Sequence, residues 1–146
     1  MRKNSGFSLV ELLISIAIIA ILAVIVLNGI YGSKAKAYDS KIKQQLVSFR
    51  TAAEVYYTNQ SPTSYSPAVS NNCDAGIFND LNAVNSRPGL YIDSLQSSGV
   101  QLICDSSSSA YAIKAILYSG SQYWCVDNKG TSKSYSGTPT SGTSCP

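Results

Sequence analysis

The chain has 146 residues, a formal net charge of +3, four cysteines and no histidine. Without histidine, most acid–base triads and most mixed zinc sites are impossible. Charged residues make up only 13% of the chain, so no dense basic face is available for phosphate contacts, and nucleic-acid binding is expected to be weak or absent. This length suggests one domain, and we expect neither catalysis nor a cofactor.

The apolar residues are concentrated near the N-terminus. A short basic stretch, MRKNSG, precedes a run from Phe7 to Ile30 that is apolar apart from Glu11 and a few small or polar residues. This run of about 24 residues is near the length needed to span a bilayer and is longer than the core of an ordinary secretory signal. No small-x-small cleavage site follows it. The pattern therefore favours an uncleaved single-pass anchor, with Arg2 and Lys3 holding the N-terminus in the cytoplasm.

Glu11 does not fit a plain membrane anchor. It lies four residues inside the apolar run, where a carboxylate costs roughly 2.5–3.5 kcal/mol at mid-bilayer and less near the edge. No basic residue of the chain lies within this run to pair with it. The partner of Glu11 must therefore be a newly made amine, a lipid headgroup or another copy of the chain.

The sequence GFSLVELL resembles the type III signal sequence of type IV pilins, with Gly6 before Phe7 and Glu11 at the fifth position from Phe7. The resemblance is strong over about residues 1–35 and looser beyond. It implies that a prepilin peptidase cleaves between Gly6 and Phe7 and that Phe7 becomes the N-methylated residue. It also implies that Glu11 pairs with the Phe7 amine of a neighbouring subunit. The alternative is a charge tolerated at the membrane edge.

The helical pattern continues past the apolar run. Apolar residues recur every three or four positions, which predicts one helix from about Ser8 to about Thr58; the residues of this stripe are Tyr31, Ala35, Tyr38, Ile42, Leu46, Phe49, Ala53 and Tyr56. The first half is apolar on all sides, and the second is amphipathic. We therefore divide the chain into a leader (1–6), a transmembrane or filament-core half-helix (7–30) and a globular head (31–146), whose helix covers 31–58.

The sequence of the remainder of the head predicts loops followed by a sheet. A connecting loop (59–99) contains a possible short helix from about Ala75 to Val84 that buries Ile77, Phe78, Leu81 and Val84, and Arg87-Pro88-Gly89 ends it. A sheet (100–135) follows, and then a Gly/Ser/Thr/Pro-rich tail (136–146) that is expected to be loose unless Cys145 pins it. The expected strands, separated by turn residues, are Val100–Cys104, Tyr111–Tyr118, Gln122–Asp127 and Thr131–Tyr135. The expected fold is α+β and pilin-like: a long N-terminal helix has a protruding hydrophobic half, and its amphipathic half packs on an antiparallel sheet of three or four strands.

The cysteines Cys73, Cys104, Cys125 and Cys145 all follow the membrane segment, which predicts two disulfides in an exported head. In a meander, Cys104 and Cys125 lie on strands about 9–10 Å apart, too far for a bridge. Of the two remaining pairings, Cys73–Cys104 with Cys125–Cys145 closes the shorter loops and is preferred. The alternative, a zinc site, lacks any Cys-x-x-Cys spacing, so no metal is expected.

The resemblance implies a structural subunit of a type IV pilus. The precursor would be a single-pass protein of the cytoplasmic membrane, and the processed chain would polymerise into a helical, extracellular filament of identical copies. Such filaments serve twitching motility, adhesion or DNA uptake. The implied partners are the prepilin peptidase, a membrane platform protein and cytoplasmic ATPases. Two alternatives stay open: a pseudopilin of a type II secretion or competence apparatus, and a membrane-anchored binding domain that never polymerises.

Overall fold

A computed structural model describes residues 7–83 and 85–146. The element order is α1 (Leu9–Asn59), a single 3₁₀ turn (Gly76–Asn79), α2 (Gly89–Ser97), β1 (Leu102–Ser106), β2 (Tyr111–Ile116), β3 (Gln122–Asp127) and β4 (Ser132–Ser136). The leader, including Gly6, and Val84 lie outside the described residues. The predicted α+β class, with one long helix and an antiparallel sheet, is confirmed.

Helix α1 is 51 residues long, which corresponds to about 75 Å at about 1.5 Å per residue. It begins after Ser8 and ends at Asn59, within one residue of the prediction at both ends. It stops there because Gln60 is extended (φ −80°, ψ 150°) and because Pro62 follows, which cannot continue a helix. A single unbroken helix therefore joins the apolar N-terminal half to the head.

The second half of α1 lays its predicted stripe on the sheet. Leu46, Phe49 and Ala53 have no exposed surface, and Ile42 and Tyr56 are almost as buried. Tyr38 is the exception. Its side chain is 53% exposed, because at this level the helix has only begun to meet the sheet, and its ring contacts Tyr118 at 5.5 Å between centroids. The stripe therefore becomes core only from about residue 42 onward.

The sheet is the predicted antiparallel meander, with strand order β1-β2-β3-β4. Tyr111, Ile113 and Ala115 on β2 are buried as expected, and so is Leu117, which directly follows the strand. Strand β2 ends at Ile116 rather than Tyr118, because the Asp39 carboxylate on α1 accepts hydrogen bonds from the amides of Tyr118 (2.7 Å) and Ser119 (3.2 Å). Strand β1 begins at Leu102 and runs to Ser106 rather than covering 100–104. At the C-terminal end of β1, Ser106 pairs with Tyr111 of β2.

The predicted short helix over 75–84 is wrong beyond its first turn. Ile77 and Phe78 are buried, but Leu81 is 40% exposed. The turn stops at Asn79 because the Asp80 carboxylate accepts hydrogen bonds from the amides of Asn82 and Ala83, at 2.8 Å each, and so turns the chain away from the helix axis.

The connecting segment 59–99 is not a loop throughout, because it contains α2. We interpreted Pro88-Gly89 as a helix breaker, but Pro88 occupies the N-cap position of α2. Gly89 is required there, since a Cβ would lie 2.8 Å from the backbone of Asn79 and Asp80. Ile92 and Leu95 are fully buried, and Ser94 accepts a hydrogen bond from Gln45 of α1 at 3.0 Å. Helix α2 thus closes the core beside α1.

Candidate assembly site and the head that carries it

The N-terminal tip of α1 brings together the residues predicted to direct assembly. Ser8 is the N-cap of the helix. Its side chain accepts a hydrogen bond from the Val10 amide (3.4 Å), and its own amide donates to Glu11 Oε2 at 2.9 Å. These reciprocal contacts form a capping box, which satisfies backbone amides that the helix leaves without partners. Phe7 lies beside this box and is 80% exposed.

Glu11 is therefore bound within its own chain through one carboxylate oxygen. The negative charge also lies in the first turn of α1, where the helix dipole favours it. One hydrogen bond leaves acceptor positions on the carboxylate unoccupied, since an ionised carboxylate offers about four lone-pair sites. The arrangement permits Glu11 to cap its own helix and to receive a cation from outside at the same time.

The apolar half of α1 makes no tertiary contact that covers it. Among the described residues, one helix is long and apolar enough to cross a membrane: its window Leu9–Val26 has a mean hydropathy of 3.1, and none of it is buried. Representative side chains such as Ile18 and Leu22 are more than half exposed. The free energy cost of exposing this much apolar surface to water requires lipid or other helices around it.

Two disulfides brace the head. Cys73 is bonded to Cys104 with a Cα–Cα distance of 5.0 Å, and Cys125 is bonded to Cys145 with a Cα–Cα distance of 5.8 Å. Cys104 and Cys125 lie on β1 and β3, on either side of β2. The first bridge ties the connecting segment to the sheet, and the second holds the C-terminal tail against β3.

A buried charge cluster beneath the tail was not predicted. Asp105 and Lys114 are 2% exposed each, and their charged atoms lie 3.7 Å apart. The Asp105 carboxylate accepts hydrogen bonds from the Asn71 amide, the Ser141 hydroxyl and the Gly142 amide, and Lys114 Nζ donates to the Gly142 carbonyl at 2.8 Å. The cluster therefore joins two strands to both the tail and the connecting segment.

Both groups of this pair have shifted pKa values. Burial opposes the charged form of Asp105, but the hydrogen bonds from Ser141, Gly142 and Asn71 and the charge of Lys114 outweigh it and hold the pKa of the carboxyl below its usual value. Burial lowers the pKa of Lys114, and the Asp105 charge only partly opposes this effect. The sole sequence signal was a lysine inside the strongest strand pattern, Tyr111–Ile116.

Asp127 also holds the C-terminal tail, in addition to the contacts that Asp105 makes with it. Its carboxylate accepts hydrogen bonds from the amides of Lys129 (3.0 Å), Thr131 (2.9 Å) and Cys145 (3.0 Å). The first two contacts form the β3–β4 turn, and the third adds the C-terminus to it. The tail is thus pinned through Cys145, the condition under which it was not expected to be loose, and two buried carboxylates hold it as well.

These features define a class of protein. A helix with an exposed apolar N-terminal half and an amphipathic half packed on a four-stranded antiparallel sheet is the architecture of an α+β, pilin-like protein. Residues 1–27 match the family model of the prokaryotic N-terminal methylation motif. The motif and the apolar helix together fit a membrane-anchored precursor.

Parts of the chain are similar to named proteins of type II secretion systems. The chain is 35% identical over 65 residues to type II secretion system core protein G of Aeromonas hydrophila. This match covers 43% of this chain and 46% of that protein. It is 34% identical over 61 residues to the protein of the same name from Vibrio cholerae, which covers 42% of each. The match thus spans less than half the length of these relatives. It confirms the resemblance to type IV pilin-like proteins.

Proposed function

We propose that this chain is a structural subunit of a type IV pilin-like filament and acts without catalysis. The observation that carries this proposal is the fully exposed apolar window Leu9–Val26 on a helix whose other half belongs to a closed, disulfide-braced head. Such a segment has two stable surroundings, a bilayer and a bundle of similar helices. Packing against identical copies in a repeated, non-closing contact generates a fibre.

Processing prepares the subunit for this contact. In the proposal, a prepilin peptidase cleaves between Gly6 and Phe7, and the new amine at Phe7 is methylated. This amine lies one helical turn from Glu11, about 6 Å along the axis. A neighbour displaced by about one turn brings its amine level with Glu11, whose carboxylate has free acceptor positions. A carboxylate and an amine left unpaired inside an apolar bundle are costly, so this contact sets the register.

We place the filament in a type II secretion apparatus, as a pseudopilin. This assignment is supported by the similarity to three relatives that are each named type II secretion system core protein G. The partners of the proposed subunit are then identical copies, the peptidase, a platform protein in the membrane and cytoplasmic ATPases. In this role the filament lies above the cytoplasmic membrane and serves protein export.

The second candidate is the subunit of an extracellular type IV pilus, with a role in motility, adhesion or DNA uptake. It is supported by the head, whose C-terminal tail is fastened by the Cys125–Cys145 bridge and by Asp105. A head sealed by two disulfides suits a filament exposed to the medium.

One set of measurements tests these readings. Mass spectrometry of the purified membrane-bound chain should find an N-terminus at methylated Phe7 with all four cysteines oxidised; a chain that retains Met1 contradicts processing. Deletion of the gene should then block protein secretion and leave surface pili unchanged. Loss of sheared surface filaments with normal secretion would favour the pilus. A processed chain that forms no cross-linkable polymer would be a membrane-anchored domain and would contradict both.

A further inference from the structure

Three exposed lysines follow the membrane-spanning segment of α1. Lys34, Lys36 and Lys41 all lie on the part of the helix between the apolar half and the first buried core residue, Ile42. We call these three residues the lysine collar. Lys43 is not included, because its ammonium lies over the Trp124 ring at 4.8 Å from the centroid and is thus already engaged by the head.

The lysine collar lies at the level of lipid headgroups. If the hydrocarbon layer ends near Ile30, the end of the apolar run, then Lys34 lies about 6 Å and Lys36 about 9 Å above it along the helix. The polar layer of a bilayer is about 5–7 Å thick on each side, and lysine side chains reach towards it while their stems cover apolar surface. Lys41, about 16 Å above, is the outermost member.

The head offers the lysine collar no counter-charge. In the part of the chain that the structure describes, the acidic residue nearest in sequence is Asp39, which is 3% exposed. Its carboxylate is committed to the amides of Tyr118 and Ser119, and the ion pair described for the head is the remote one between Asp105 and Lys114. In the described part of the chain the three collar lysines form no ion pair, so they are available to an anionic partner from outside it.

Removal of the leader increases the difference in positive charge between the two flanks of the membrane segment. With the N-terminus in the cytoplasm, the collar is on the exported flank, where lysine opposes the usual bias of membrane proteins. Removal of the leader also removes Arg2 and Lys3 from the cytoplasmic flank. Residues 7–30 of the processed subunit then carry no lysine or arginine, whereas the lysine collar remains on the exported flank.

Two exposed aromatic rings lie at the same end of the head. Tyr38 and Tyr118 are each about half exposed, at 53% and 51%, and contact each other. Tyrosine is enriched at membrane–water interfaces because its ring is apolar and its hydroxyl is polar. Aromatic rings and lysines at the same end of the head have the composition of an interfacial anchor.

We infer that the lysine collar binds anionic phospholipid headgroups of the outer leaflet and holds the processed subunit at the membrane until it is taken into the filament. The occupant is a phosphate-bearing lipid surface, recognised by charge. This inference rests on the membrane anchoring in the proposed function but not on polymerisation. Entry into the filament must then break these contacts, so the collar sets how readily a subunit leaves the bilayer.

The test compares lipids that remain with the full, processed chain. The protein is purified in mild detergent from vesicles of equal phosphatidylcholine and phosphatidylglycerol, and the retained lipids are counted by mass spectrometry. The triple variant K34Q/K36Q/K41Q is matched by R87Q/K129Q/K133Q, which removes the same charge from exposed residues distant from the membrane. We expect wild type and control to favour phosphatidylglycerol and the triple variant to lose this preference, by about fivefold for each lysine near the surface. High salt should abolish the preference of the wild-type protein for phosphatidylglycerol.

The outcomes separate this inference from the proposed function. An unchanged lipid preference in the triple variant, or an equal loss in the control, overturns the inference. If the triple variant keeps its lipid preference but forms no filaments, the collar contacts another copy of the chain instead, and the inference is again wrong. If wild type inserts but shows no preference, only the inference falls. If wild type does not insert at all, the anchor itself is wrong and both fall.

Discussion

Substitutions at Glu11 and Ser8 separate the capping role that the structure shows for the Glu11 carboxylate from its proposed role in assembly. Glu11 Oε2 accepts the Ser8 amide at 2.9 Å and so caps its own helix, whereas the proposed assembly contact uses its charge. Glu11→Gln keeps an amide oxygen that can accept the same hydrogen bond but removes the charge. Ser8→Ala removes the hydroxyl that accepts from the Val10 amide at 3.4 Å but keeps the charge of Glu11.

The two variants should differ strongly in assembly. Loss of an N-cap hydroxyl costs about 1 kcal/mol, and this hydrogen bond is long, so Ser8→Ala should assemble within a few-fold of wild type. In Glu11→Gln the Phe7 amine of the neighbour has no counter-charge inside the bundle. Removing one partner of a buried pair costs about 3–5 kcal/mol, which corresponds to a loss of about 10²- to 10⁴-fold in subunit association.

The assay is the amount of cross-linked or sheared polymer per amount of membrane-bound subunit. The membrane fraction serves as the control for expression and insertion, and Glu11→Ala, which lacks both the cap and the charge, is the reference. We expect Glu11→Gln to behave like Glu11→Ala and Ser8→Ala to behave like wild type. If Glu11→Gln assembles normally while Ser8→Ala does not, Glu11 acts as a helix cap and the pairing model is refuted.

Three further predictions concern the head. Asp105→Asn leaves Lys114 buried without a counter-charge and should lower the free energy of unfolding by about 3–5 kcal/mol. Because the folded-state pKa of Asp105 is lowered, its contribution to the free energy of unfolding is present above its unfolded-state pKa and is lost as the pH falls through its folded-state pKa. In urea denaturation at decreasing pH, the free energy of unfolding should therefore fall less steeply for this variant than for wild type. An equally steep fall in both proteins contradicts the role assigned to Asp105. Replacing Cys125 and Cys145 together by serine should cost about 3 kcal/mol and make residues 136–144 sensitive to proteases, whereas a resistant tail would mean that Asp105 and Asp127 suffice to hold it. Phe49→Ala removes a side chain with no exposed surface and should cost about 3–5 kcal/mol in thermal unfolding; a cost below about 1 kcal/mol would mean that the core refills the space.

Local patterns in the sequence were sufficient for much of the fold. The 3.6-residue stripe placed α1 to within a residue at each end, because a long periodic segment with a capping residue and a following proline leaves few alternatives. Strand β3 was predicted at its observed bounds, Gln122–Asp127, because Gly and Asn turns enclose it on both sides. A meander of short strands then followed from the short turns alone.

The missed features depend on contacts between distant parts of the chain. Helix α2 was not predicted, because the dipeptide Pro88-Gly89, considered without its tertiary contacts, indicates a turn. What permits the helix is the close approach of Gly89 to the backbone of Asn79 and Asp80, which no local pattern reveals. Likewise, Lys114 reads as an outward-facing residue of a strand. It is buried because a tail about 30 residues later folds back over it and supplies the Gly142 carbonyl.

The division of the molecule explains why a single carboxylate carries so much of the proposed assembly. The head has its own core, two disulfides and buried ionic contacts, so it keeps its structure while the apolar half of α1 changes its surroundings. In the bilayer those apolar side chains are already out of water, and transfer into a bundle of like helices brings little hydrophobic free energy. Packing alone therefore neither drives the transfer strongly nor fixes the axial position of one helix against the next. The charge of Glu11 is the directional group in the described apolar segment, and under the proposed function an amine lies opposite it only after cleavage between Gly6 and Phe7. The proposal therefore predicts that assembly depends on processing, because processing makes the partner of Glu11.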